Sequence, residues 1–254
     1  LRVRNFVVSE MPTSTDMYAD ANFLLVKDPL RALQQLAAHH RKKFEIPVIG
    51  ITGSNGKTIV KEFLYQLLHT EFNIVRSPRS FNSQLGVPLS VWQINPKHTL
   101  GIFEAGISQP DEMERLQPII APTIGIITNI GEAHQENFIS TRQKCLEKLQ
   151  LFQDSEAIIY DGDNAFIANC IEAACLSHKA IAWSRTDSEA PLFIKSVDNI
   201  TVTYNVILFE TIYYVSGNAG SPNHIFGWNL LPGIQSGYVS IVGCQQSFGS
   251  YDDN

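Results

Sequence analysis

These 254 residues hold no long apolar run, no basic excess and no cysteine framework. Nothing approaches the ~20 consecutive apolar residues that a bilayer crossing needs, so no membrane insertion is expected. Lysine and arginine total 19 against 25 aspartates and glutamates, a formal net charge of −6. Nucleic-acid binders usually carry a basic face, so no nucleic acid is expected as a partner. The one basic cluster, Arg41-Lys42-Lys43, reads as a solvated helix end. Four cysteines, at 145, 170, 175 and 244, make no CxxC pair and have no histidine at zinc spacing. That argues against a zinc site or disulfide framework and fits a reducing, cytoplasmic setting. No charged and then apolar segment follows Leu1, so no signal peptide is expected, and the chain reads as beginning inside a longer protein. Apolar residues at 44% and charged residues at 17% are what a folded globular chain carries.

What is present is an alternation. Residues 1–44 offer two short strands, Asn5–Val8 and Asn22–Val26, and then a helical pattern opened by Asp28-Pro29 with Leu30, Leu33, Leu36 and Ala37 as its apolar positions. From Ile46, apolar runs at Pro47–Thr52, Thr99–Ala105, Thr123–Thr128 and Ala157–Tyr160 read as buried strands. Helical patterns separate them at Thr58–Leu68, Ser83–Trp92, Asp111–Leu116 and Thr141–Phe152, with Asn164–Ala174 following. Strand and helix in turn predict an α/β fold, a parallel sheet with helices on both faces. Phe193–Val197 and Ile200–Val206 read as a small antiparallel appendage. Past Gly217 the chain is rich in Gly, Ser and Asn and carries no functional signal.

The strongest motif lies between the first of these strands and its helix: Thr52-Gly53-Ser54-Asn55-Gly56-Lys57-Thr58. Glycines let backbone N–H groups turn toward phosphate oxygens, and the following helix N-terminus adds favourable dipole charge. Lys57 can reach the β- and γ-phosphates, and the Thr58 hydroxyl can ligate Mg²⁺. The spacing departs from G-x-x-x-x-G-K-[ST], because Ile51 stands where the first glycine would be.

T-G-S-N-G-K-T followed by Lys61-Glu62 resembles the Mur ligases, which join amino acids or peptides to a UDP-linked muramoyl precursor. Three further segments follow in the family's order. Ser80-Phe81-Asn82-Ser83-Gln84-Leu85-Gly86-Val87-Pro88-Leu89 resembles the N-x-N-N-x-x-G-x-P-L run of the branch that adds D-alanyl-D-alanine, with Ser83 in place of the second asparagine. Phe103-Glu104-Ala105-Gly106 resembles the family's strand-end E-x-G, and Thr128-Asn129-Ile130-Gly131-Glu132-Ala133-His134 its T-N-I-x-x-A-H. The resemblance implies ATP and Mg²⁺ as cofactors, with UDP-muramoyl-tripeptide and D-alanyl-D-alanine as substrates joined through an acyl phosphate.

Carried over position by position, the resemblance puts phosphate on Gly53, Ser54, Asn55, Gly56, Lys57 and Thr58. It puts magnesium near Thr58, Glu104 and His134, and a carbamylated lysine at Lys148, fourteen positions past His134. Lys144, one turn earlier, competes for that last role. Glu104 and His134 each follow an apolar run, at the sheet edge where open α/β sheets bind ligands. Asn82 and Asn129 resemble positions near the phosphates, and each could equally be a turn residue satisfying its own backbone. In Asp161-Gly162-Asp163-Asn164, Asp163 or Asn164 reads as a helix N-cap.

The family has three domains. The expected division here is 1–44 as the end of a substrate domain with a linker helix, 45–206 as the ATP-binding domain, and 207–254 unassigned with the third domain absent. Some bacterial members are fused to an alanine racemase, which the resemblance brings in as a partner of the parent chain. A non-catalytic nucleotide-binding fragment, a folylpolyglutamate synthetase or another Mur branch are the alternatives, and the Asn82–Leu89 run favours the D-alanyl-D-alanine branch over them.

Overall fold

The computed structural model describes residues 3–13, 20–131 and 137–195. They fall into two compact units, the first running to Ile181. The first unit opens with strands β1 (Asn5–Val8) and β2 (Asn22–Leu25), paired in parallel with Asn5 opposite Asn22. Asn22 Nδ2 donates to Asn5 Oδ1 at 2.9 Å, and Phe6 stacks on Phe23 with centroids 5.3 Å apart.

Helix α1 (Pro29–Arg41) starts where Asp28 and Pro29 predict: the Asp28 carboxylate accepts from the N–H groups of Leu30 and Arg31. Its buried face differs from the expected one. Ala37 is buried as expected, but Leu30 and Leu36 are exposed, and Gln34 and Arg41 are buried in their stead. The expectation that Arg41 belongs to a solvated helix end is therefore wrong. Its guanidinium donates to the carbonyls of Ile120, Phe44, Ile46 and Ala121 at 2.6–3.3 Å. The last two carbonyls of a neighbouring helix are groups that have no intrahelical partner, and a buried cation there satisfies both the hydrogen bonds and the dipole. Lys42 and Lys43 alone are exposed.

The apolar runs become strands as expected: β3 (Val48–Thr52), β5 (Leu100–Glu104), β6 (Ile124–Ile127) and β7 (Ala157–Asp161), together with the unforeseen β4 (Ile74–Arg76). All pair in parallel, and in space they run β4-β5-β3-β6-β7. β3 and β5 are buried at every position, as strands covered on both faces must be. The connecting helices are α2 (Lys57–Leu68), α3 (Gly86–Val91), α4 (Met113–Ile120) and α5 (Thr141–Leu149), with α6 (Ala165–Ala173) after β7. α5 passes into a 3-10 turn at Gln150–Phe152, so the helix expected over Thr141–Phe152 tightens at its end. Asn164 caps α6, its Oδ1 accepting from Ile167 N at 3.2 Å, as read from the sequence.

The core joins Val48, Phe103, Met113, Leu116, Ile127 and Phe152, all essentially without solvent contact. Each such side chain contributes roughly 1.5–3 kcal/mol by leaving water. This topology also fixes where a ligand can sit. The chain leaves β3 toward β4 and leaves β5 toward β6, in opposite directions across the sheet. A crevice opens between the carboxyl ends of two such strands.

The last elements are β8 (Ala180–Ser184) and β9 (Leu192–Phe193). β9 pairs with β8 in parallel, Trp183 opposite Leu192, so the strand expected from Phe193 onward is shorter than read and finds a parallel partner. The second expected strand, 200–206, lies outside the described residues.

Candidate active site

At the crevice, β3 ends at Thr52 and the chain turns through Gly53–Gly56 into α2. Gly53 has φ +146°, and a Cβ there would lie 1.9 Å from Thr128 Oγ1. Gly56 has φ +80° and caps α2 without a side-chain hydrogen bond, which leaves the first-turn N–H groups free of a side-chain acceptor. The loop is held from outside. Asn129 O accepts from Ser54 N at 2.8 Å, Asn129 Oδ1 from Asn55 N at 2.9 Å, and Thr128 Oγ1 donates to Asn55 O at 2.6 Å. Ser54 Oγ accepts from Gly131 N at 2.9 Å. Asn129 thus sits on the loop backbone, and the N–H groups of Ser54 and Asn55 are spent on it.

Lys57 Nζ donates back to Gly53 O at 2.9 Å and Ser54 O at 3.3 Å. Burial lowers its pKa, and the nearby Glu104 charge opposes that. Glu104, at the end of β5, is fully buried. Its Oε2 accepts from Thr58 Oγ1 at 3.0 Å and Asn82 Nδ2 at 3.3 Å. Its Oε1 lies 3.0 Å from Lys61 Nζ and accepts no well-aligned hydrogen bond. The backbone closes the same corner, with Ser77 Oγ accepting from Glu104 N and Asn82 O accepting from Gly106 N.

A cleft of about 460 Å³ runs from this corner, lined among others by Gly53, Lys57, Asn82, Glu112 and Lys148. Lys148 is 3% exposed, and its pKa is pushed down to about 7, first by desolvation and then by the charges of Lys57 and Lys144. Lys144 is buried as well and donates to Gly131 O. Of the positions singled out in the sequence, Gly53, Ser54, Lys57, Asn82 and Lys148 line the cleft, and Thr58 and Glu104 meet beside them. His134 lies outside the described residues.

A hard divalent cation suits this corner. A buried carboxylate and a threonine hydroxyl supply oxygen donors, and a magnesium ion is commonly held by one or two carboxylates with phosphates and water completing its shell. Among the described residues no three His, Cys, Asp or Glu side chains gather as a metal cluster.

The sequence missed Lys61. It was part of the motif, yet its ammonium is fully buried and its partners come from two other segments, Ser77 O and Arg79 O after β4 and Glu104 at the end of β5.

Residues 51–219 match the family described as Mur ligase middle domain. The chain belongs to the Mur ligase family. Two curated relatives of this Mur ligase chain, both named UDP-N-acetylmuramoyl-tripeptide--D-alanyl-D-alanine ligase, are from Bacillus subtilis (strain 168) and Treponema pallidum (strain Nichols). The first is 34% identical over 149 residues, covering 58% of this chain and 33% of that protein. The second is 41% identical over 126 residues, covering 49% and 27%. A crystal structure of MurF from Acinetobacter baumannii superposes with a TM-score of 0.66 at 27% identity, covering 75% of this chain and 41% of that one. The matched part of this Mur ligase chain thus spans a third or less of these two curated relatives' length.

Proposed function

We propose that this Mur ligase chain binds ATP with its phosphates on Gly53–Thr58 and serves the ligation of D-alanyl-D-alanine to UDP-N-acetylmuramoyl-tripeptide in the cytoplasm. The observation that carries this is that Lys57, Asn82 and Lys148 line one cleft at the carboxyl edge of β3 and β5, with the Thr58–Glu104 pair beside it and joined to it through Asn82. The two curated relatives named for that reaction supply the substrates. Residues 45–206 serve as the ATP-binding domain in this proposal, with 1–44 as the end of a substrate domain and its linker helix.

Amide formation from a carboxylate needs that carboxylate activated, here as an acyl phosphate, before an amine attacks it. Magnesium, when bound, would neutralise charge on the phosphate oxygens. Thr58 and Glu104 would hold it. Lys57 orients the phosphoryl group and offsets its developing charge. Asn82 and the Asn129 clasp fix the donors around it. Burial and the charges of Lys57 and Lys144 push the Lys148 pKa down to about 7, which makes its neutral amine far more accessible than that of a solvated lysine. A neutral amine can add carbon dioxide, forming an N–C bond and releasing one N–H proton to solvent, and so become a carbamate that would supply oxygen donors to a hard metal.

Calorimetric titration with ADP and Mg²⁺ tests the nucleotide assignment. Lys57→Ala should weaken binding by about 1.5–3 kcal/mol, roughly 10- to 150-fold. Unchanged affinity in that variant would remove Lys57 from the phosphate site.

A further inference from the structure

The least expected group near the cleft is the ammonium of Lys61. Lysine is rarely buried without solvent contact, and here both Lys61 and its partner Glu104 have fully buried side chains. The cation is held in place by Ser77 O at 2.8 Å, by Arg79 O and by Glu62 Oε1 at 3.2 Å. These contacts come from α2 itself and from the segment after β4. They leave Nζ 3.0 Å from one oxygen of Glu104 only. The other oxygen faces Thr58 Oγ1 and Asn82 Nδ2. The two oxygens of one carboxylate are therefore in different electrostatic settings, one against a fixed positive charge and one against neutral donors.

We propose that Lys61 is a positioning residue that commits Glu104 to bind magnesium through Oε2 alone. Oε1, held against the ammonium, is poorly placed to share a second cation, because the two positive charges would face each other across it. Oε2 can exchange its hydrogen bond from Thr58 for a metal shared with that hydroxyl. A carboxylate free to rotate would place either oxygen, or both, toward the ion. Magnesium demands near-ideal octahedral geometry and tolerates such latitude poorly. Lys61 touches neither nucleotide nor metal in this arrangement and acts only through the carboxylate it fixes. The inference rests on the nucleotide and magnesium assignment proposed above.

The test measures ADP affinity calorimetrically with excess Mg²⁺ and again with EDTA, on wild type, Lys61→Met and Lys61→Gln, with circular dichroism as the check on folding. Magnesium should tighten ADP binding to the wild type roughly tenfold or more, and that factor should fall below about threefold in either Lys61 variant. Affinity in EDTA should stay near wild type, since the phosphate loop is untouched; a merely structural role would lower both affinities together. A folded Lys61 variant that keeps the wild-type magnesium factor overturns the proposal. Should the single variants not fold, Glu104→Gln is compared with Lys61→Met/Glu104→Gln, which leaves neither buried charge unpaired. Equal ADP affinities in those two support action through Glu104, and a weaker double variant overturns it. A wild type that binds ADP without any magnesium effect removes the metal assignment and the proposal with it, whereas normal magnesium linkage with indifferent Lys61 variants removes the proposal alone.

Discussion

Replacing Lys148 with methionine should make this protein more stable in acid than its parent. The side chain is 3% exposed, and its pKa falls from the ordinary 10.5 to about 7. Desolvation is the larger cause, with repulsion from Lys57 and Lys144 added. A drop of that size corresponds to about 5 kcal/mol of unfavourable free energy for holding the charge in the folded state. Water entry and relaxation reduce this in a real protein, and about 2 kcal/mol is the expected net gain for Lys148→Met at pH 6. The sign follows from proton counting. Between pH 7 and 10.5 the unfolded chain binds more protons at this site than the folded one, so the parent gains stability as pH rises through that window. Below pH 7 both states are protonated and the full cost is present; above 10.5 it is gone. The variant lacks this titration, so its advantage should be largest at pH 6, shrink across pH 7 to 10 and then vanish. Urea denaturation at pH 6, 8 and 10 measures it, and for a domain of this size the pH 6 gain corresponds to roughly 4–8 °C in Tm. A variant less stable than the parent at pH 6, or a difference that ignores pH, would refute the argument.

Supplying ¹³C-bicarbonate should give a carbamate resonance that is absent in Lys148→Met. It should strengthen with pH, because the neutral amine grows from roughly a tenth at pH 6 to nine-tenths at pH 8 for a pKa near 7; a signal that persists in the variant would move the assignment to Lys144. Arg41→Met should lose about 3 kcal/mol, since it strips four carbonyls of a charged donor. Thermal unfolding should show a fall of roughly 6–12 °C. Gly53→Ala, which sets a Cβ against Thr128 at a positive φ, should cost about 1–3 kcal/mol in strain and abolish measurable ADP binding.

The strand–loop–helix that carries the proposed phosphate site was legible because its pattern is contiguous: strand, glycines, lysine, hydroxyl and helix follow one another within a few residues. Apolar runs long enough to fill a buried strand identified β3, β5, β6 and β7. β4 escaped because it has three residues, Ile74–Arg76, too few for any period to register. The buried face of α1 was misread for a different reason. Periodicity assigns leucine to the inside, yet Gln34 is buried because its amide donates to Gln84, fifty residues away, and Arg41 because its acceptors include Ile120 and Ala121, about eighty away. Local pattern carries no information about such partners. Lys61 belongs to the same class, with its counter-charge 43 positions off at Glu104.

The clasp that Thr128, Asn129 and Gly131 place on the phosphate loop has a kinetic and entropic consequence. A glycine-rich segment left to itself would sample many conformations and lose them on capturing an anion. Here the ordering is done when the chain folds, because Ser54 and Asn55 are already tied to a neighbouring strand end. The donors left for an incoming anion are the N–H groups at the start of α2, which are rigid by virtue of the helix. For the proposed nucleotide, association then proceeds as docking to a finished surface, and little of the contact energy is consumed in arranging the receptor.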